Sequence, residues 1–137
     1  MAGWEAWLNQ LLTRSVQGQP VKSAHHAGIF GFDGSCWCGT DGMMKSLPKS
    51  FFEKVEVGLV EGVGGCSSLL IGNTKYMVLR ADISGKSLIA KKGSAGFTIA
   101  KGKQSYVIGV YDSDEILPSN NNTQIIETRD KLADSGY

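Results

Sequence analysis

Between Ser67 and Tyr111, five short strand-favouring runs follow one another: Ser67 to Ile71, Tyr76 to Ala81, Ser87 to Ala90, Gly96 to Ala100 and Tyr106 to Tyr111. They are separated by Gly72-Asn73, Ser84-Gly85, Gly93-Ser94 and Lys101-Gly102-Lys103. Connections this short leave no room for a crossover helix, so each run must turn back beside its predecessor and the stretch predicts an antiparallel meander.

Helical periodicity brackets the meander. Trp4, Trp7, Leu8, Leu11 and Leu12 fall at i, i+3, i+4, i+7 and i+8, the apolar stripe of an amphipathic helix that starts almost at the first residue. Thr13 to Ser23 turns polar and is broken by Gly18 and Pro20, which predicts a loop. His26 to Phe32 and Ser35 to Thr40 read as two strands joined at Asp33-Gly34, a pair suited to a tight hairpin because glycine accepts positive φ. Pro48 is a helix start whose missing N–H is harmless in the first turn, and Phe52, Val55 and Leu59 carry that helix to about Glu61. After the meander, Asn120 to Thr123 offer capping side chains ahead of Ile125, Ile126, Arg129 and Leu132, predicting a C-terminal helix. Helix, two strands, helix, five strands, helix is an α+β order. A length of 137 residues with 42% apolar and 20% charged content fits one domain over residues 1–137.

A net charge of +1 gives the whole molecule no strong pull on nucleic acid, so no nucleic-acid partner is expected. The charge is nevertheless segregated. No acidic residue lies between Ile83 and Tyr111, which hold Lys86, Lys91, Lys92, Lys101 and Lys103; Lys75 and Arg80 precede them, and Asp112, Asp114 and Glu115 follow. This predicts a positive end of the sheet that meets an acidic protein surface or inositol phosphates, with solvated lysines at hairpin tips as the equal alternative. Three cysteines, two of them one residue apart, and an opening without a secretory leader predict reduced thiols in a cytoplasmic protein.

No pattern of residues calls for catalysis, a cofactor or a metal. Cys36-Trp37-Cys38 lacks the usual two-residue spacer and is followed by no second cluster; a Cys2His2 set with His25 and His26 rests on counting alone. Gly62-Val63-Gly64-Gly65 is not followed by the lysine and serine of a phosphate loop, and no serine sits in a nucleophile elbow. The chain is expected not to be an enzyme.

The opening MAGWEAWL, the ending Leu132-Ala133-Asp134-Ser135-Gly136-Tyr137, and the segments KYMVLRAD (Lys75 to Asp82) and KKGSAGFTIAKGKQSYVIGVY (Lys91 to Tyr111) together resemble the profilin family. The resemblance runs along the whole chain, carried between these segments by the pattern of elements. It implies a central antiparallel sheet with the N- and C-terminal helices on one face and smaller helices on the other. It also implies a cytoplasmic, cytoskeletal protein that binds monomeric actin and proline-rich proteins, with phosphoinositide lipids at the membrane surface as a further ligand class. Carried over residue by residue, Trp4, Trp7, Trp37, Leu132 and Tyr137 match the polyproline groove, although spacing alone favours reading Trp4 and Trp7 as helix-packing residues. Lys75, Val78, Arg80, Lys91, Asn122 and Glu127 match actin-contacting positions, and Arg80, Lys91 and Lys92 are the candidates for a phosphoinositide headgroup. The family usually has tyrosine where Trp7 stands, histidine or tyrosine where Lys131 stands, and a glycine-containing approach where Ser119 to Thr123 stand. A small-molecule sensor of similar architecture is the competing function, since a meander flanked by helices also encloses ligands.

Overall fold

A computed structural model describes residues 2–137. In chain order the elements are α1 (Ala2–Leu12), β1 (Thr13–Val16), β2 (Gln19–Lys22), β3 (His26–Gly31), β4 (Cys36–Gly39), α2 (Gly42–Lys45), α3 (Lys49–Glu61), β5 (Ser68–Ile71), β6 (Thr74–Asp82), β7 (Ser87–Lys92), β8 (Ala95–Lys101), β9 (Ser105–Tyr111) and α4 (Pro118–Asp134). Seven strands form one antiparallel sheet in the order β4-β3-β9-β8-β7-β6-β5. The expected meander is its larger part, and β9 closes against β3 with Ile29 opposite Val107 and Gly31 opposite Ser105.

Strand alternation builds a core on each face of this sheet. Phe97, Ile99, Tyr106, Ile108 and Val110 join Val78, Leu88 and Ala90 under α3, whose Phe51, Phe52, Val55 and Leu59 fall on one helical face. Ala27, Ile29, Ala100 and Val107 turn the other way and meet Leu11 of α1 with Ile125 and Leu132 of α4. The terminal helices therefore share a face, and α2 and α3 lie on the opposite one. β9 is buried at every position because both of its faces are covered, whereas β6 alternates buried and exposed. At Gly109 an added Cβ would overlap Ile125, so glycine is what lets α4 lie close on β9. Among the described residues no helix is long and apolar enough to cross a membrane.

Two sequence expectations need correction. Thr13 to Ser23 is a hairpin, not a loop: Gln17 and Gly18 take positive φ of 53° and 79°, the two-residue turn that matches strand twist. Pro20 pairs with Ser15 in a ribbon of only two strands, where a proline's missing N–H is tolerated. Asn120 to Thr123 do not cap α4, which starts at Pro118 with Leu117 as N-cap and no side-chain cap bond. The asparagines sit inside the helix, and Asn121 is fully buried. Its Oδ1 accepts from Thr98 Oγ1 at 2.8 Å, while Nδ2 donates to the carbonyls of Ser23 at 2.8 Å and Gly109 at 3.2 Å. Asn121→Ala removes the amide donor from the buried Ser23 and Gly109 carbonyls, while Thr98 keeps Asn122 as acceptor, and it is expected to cost about 2–3 kcal/mol in urea unfolding. A loss below about 0.5 kcal/mol would show the network to be dispensable. The short helix α2, unforeseen from sequence, is capped by Asp41, whose carboxylate accepts from Met44 N–H at 3.1 Å.

One end of the sheet is tied by histidines. His26 Nε2 lies 2.6 Å from Asp112 Oδ2, and its Nδ1 bonds the Asp41 carboxylate. Next to it, His25 accepts from Asp112 N–H at 2.8 Å and faces Glu115 at 2.8 Å. Burial opposes charge on His26, but hydrogen bonds and attraction from Asp112 and Asp41 outweigh it and raise its pKa. A folded pKa above the unfolded value of about 6.5 stabilises fully below that pH, and the contribution is lost as pH rises through the raised folded value. The stability advantage of the natural protein over His26→Gln is therefore expected to be larger at pH 6 than at pH 9. Equal advantages at the two pH values would refute the bridged imidazolium.

Candidate functional site

Three aromatic rings from distant parts of the chain come together at the β4 edge. Trp4 on α1 lies 5.1 Å from Trp37 on β4 and 5.3 Å from Tyr137, and Trp37 to Tyr137 is 6.0 Å between centroids. The tilts of 46°, 69° and 81° are edge-on or oblique, so the rings form the walls of a trough rather than a stack. Tyr137 is 41% exposed. The local sequence explains its placement. Gly136, with φ of 99°, ends α4 in a left-handed turn in which Gly136 N–H donates to Ala133 O at 2.9 Å and Tyr137 N–H to Leu132 O at 3.0 Å. This pattern folds the chain back toward Leu132, whose side chain is buried and so does not line the trough. Trp7 is half-buried against the core beneath α1, outside the group of three rings. Lys131 is exposed beside Leu132.

Cys36 and Cys38 flank Trp37 and serve packing. Burial pushes both thiols up, Cys38 to about 11, and Cys38 Sγ points to the Trp4 carbonyl at 3.8 Å. Among the described residues no group of three or more His, Cys, Asp or Glu is arranged to hold a metal ion.

Beyond the reach of α4, the same sheet face lies open on β7, β6 and β5. Lys75, Met77, Leu79 and Arg80 are exposed there, with Lys91 opposite Met77 and Ile89 opposite Arg80. A bulge between Val78 and Arg80 turns both Leu79 and Arg80 outward. Val78 faces the other way: it is 5% exposed in the core under α3, so it supports this face without being available to a partner. Arg80, Asp82, Ser87 and Ile89 line a small groove against Asn122 and Ile126 of α4. Asn122 thus joins Arg80, while Glu127 turns to β1, where Arg14 holds it at 3.1 Å. Sequence reading missed the apolar part of this face, Leu70, Met77 and Leu79. Its signal was the uninterrupted Met77-Val78-Leu79, three apolar residues that a strand cannot all turn inward.

Of the two equal expectations, a single positive end does not form, and the lysines divide between the two ends of the sheet at or near hairpin turns. Lys91 and Lys92 stand at the β7–β8 turn, with successive side chains on opposite faces, whereas Lys86, Lys101 and Lys103 stand at the other end of that hairpin. Lys101 is also committed internally, 2.7 Å from Glu56 Oε1 and 4.9 Å from the Phe32 ring centroid. Burial would raise the Glu56 carboxyl, but hydrogen bonds from Lys101 and Tyr106 outweigh it and hold the group low.

The profilin family profile matches residues 2–137. Among solved structures, profilin IA of Acanthamoeba castellanii is 24% identical, covers 98% of this chain and 99% of its own, and superposes with a TM-score of 0.76. Mouse profilin IIa, solved in complex with a double repeat from the FH1 domain of mDia1, is 19% identical with a TM-score of 0.73, covering 98% of this chain and 99% of its own. LokiProfilin1, solved in complex with rabbit actin, is 20% identical with a TM-score of 0.70, covering 98% of this chain and 97% of its own. A profile that runs from the second residue to Tyr137, over a seven-stranded antiparallel sheet carrying both terminal helices on one face, makes this chain a member of the profilin family.

Proposed function

We propose that this profilin binds monomeric actin on the open β5–β7 face and proline-rich segments in the Trp4–Trp37–Tyr137 trough, acting by binding alone. The observation that carries the reading is the assembly of three partly exposed rings from residues 4, 37 and 137 into one trough. A polyproline II segment is already extended and has no internal hydrogen bonds, so a receptor needs flat faces for its rings and donors for its carbonyls. Indole N–H and phenol O–H groups are such donors. Trp4, Trp37 and Tyr137 are assigned direct contact, and Trp7 and Leu132 a supporting role. The complex of mouse profilin IIa with a double FH1 repeat supports a proline-rich segment as the partner class.

The open face has the make-up of a protein interface, with an apolar centre of Leu70, Met77 and Leu79 edged by Lys75, Arg80, Lys91 and Asn122. The complex of LokiProfilin1 with rabbit actin supports actin as its partner. A phosphoinositide headgroup drawn to Arg80 and Lys91, with Lys92 at the adjoining turn, would compete with actin for this face. Titration with a proline decamer, followed by tryptophan emission, and sedimentation with purified monomeric actin test the two halves. No spectral change at millimolar peptide removes the first, and absence of co-sedimentation removes the second.

A further inference from the structure

Tyr137 lies three residues beyond the last helical residue of α4, and on the helix side it is tied by its N–H bond to Leu132 alone. Its main-chain oxygen is gripped from the β8–β9 turn. Gln104 N–H donates to it, Ser105 Oγ donates to it at 3.1 Å, and Gln104 Nε2 donates to the preceding carbonyl, that of Gly136, at 2.9 Å. The turn itself is closed by Gly102 N–H donating to Ser105 O at 2.7 Å. An added Cβ at Gly102 would stand 3.2 Å from the Tyr137 main-chain oxygen, tighter than ordinary contact, so glycine makes room for the grip. Ser105 is fully buried, and its hydroxyl is spent on Tyr137.

We propose that Gln104 and Ser105 are positioning residues of the proline-rich-segment site, acting through Tyr137 without touching the ligand; this rests on the reading of the trough given above. Held at both its N–H and its main-chain oxygen, the residue presents its ring to Trp4 and Trp37 before a ligand arrives. Released from the turn, the ring spreads over several orientations, and the ligand must order it on binding. The cost of ordering one side chain corresponds to about two- to tenfold in affinity.

The experiment is a proline decamer titration of the natural protein, Gln104→Ala, Ser105→Ala, the double variant and Tyr137→Ala, with thermal melts of each. The double variant removes both side-chain bonds and leaves only the main-chain bond from Gln104 N–H to Tyr137, and it is expected to bind about two- to tenfold more weakly. In a Tyr137→Ala background the same two changes are expected to have no further effect, because no ring is left to position. Gln104 is exposed, so its variant is informative even where Ser105→Ala lowers stability. Unchanged affinity in the double variant while the natural protein binds overturns the positioning role and leaves the trough standing. An equal loss with and without the Tyr137 ring assigns the effect to general loosening and also overturns it. No binding by the natural protein overturns the trough and this role together.

Discussion

Trp4→Ala is expected to weaken proline-decamer binding about 30-fold or more, the loss typical of a central interface anchor worth about 2 kcal/mol or above. Each ring meets the other two, and Trp4 makes the two shortest approaches; without it, Trp37 and Tyr137 face each other edge-on at 6.0 Å with no wall on the α1 side. The side chain is half-buried against the core under α1, so its removal also affects folding. The cost should stay below the ~3–5 kcal/mol of a fully buried tryptophan, and circular-dichroism melts run beside the fluorescence titration separate the two effects. Trp7→Ala, which removes a support, should cost stability and little affinity. Trp4→Ala binding within about threefold of the natural protein, with its fold intact, would exclude the trough as the peptide site.

The second large effect is on actin. Arg80→Glu combined with Lys91→Glu is expected to weaken monomer binding about ten- to a hundredfold, since each reversal replaces an attraction by a repulsion of similar size at an interface edge. Neither residue lies in either core, so the melting temperature should hold. The loss should shrink at high salt, because the charges stand at a solvated rim. Val78→Ala is the contrast: its methyl groups lie under α3, and it should lower stability while leaving actin affinity nearly unchanged. Sedimentation velocity with purified actin reads all three. Full affinity in the doubly reversed variant would move the actin contact elsewhere.

The parts of the fold that were legible in the sequence are those in which local chemistry and tertiary packing agree. The β5 to β9 meander was visible because its glycine turns are too short for any alternative, and the α1 stripe because its period matches the buried face. Pro20 misled because a proline beside a glycine reads as a break, and only the pairing with Ser15 shows that its strand lacks a second neighbour. Asn121 misled in the opposite sense: its capping chemistry is real, but Thr98, Ser23 and Gly109 claim it from the sheet. The bulge at Val78 to Arg80 has no sequence mark of its own, so the inward residue was assigned to the surface and outward Leu79 was passed over. Trp4 and Tyr137 were found by resemblance, while the hold on Tyr137 runs largely through its backbone oxygen, which no residue type announces.

The strand order places β4, which carries Trp37, at one margin and β5 at the other, with the doubly covered β9 and β8 between them. Six inter-strand steps of about 4.8 Å make that width at most roughly 29 Å, bridged by the strands that are packed on both faces. Such a body behaves as a spacer bar and not as a hinge. With the two proposed sites in use, a globular partner on the β5 side and an extended peptide on the β4 side are expected to bind without colliding.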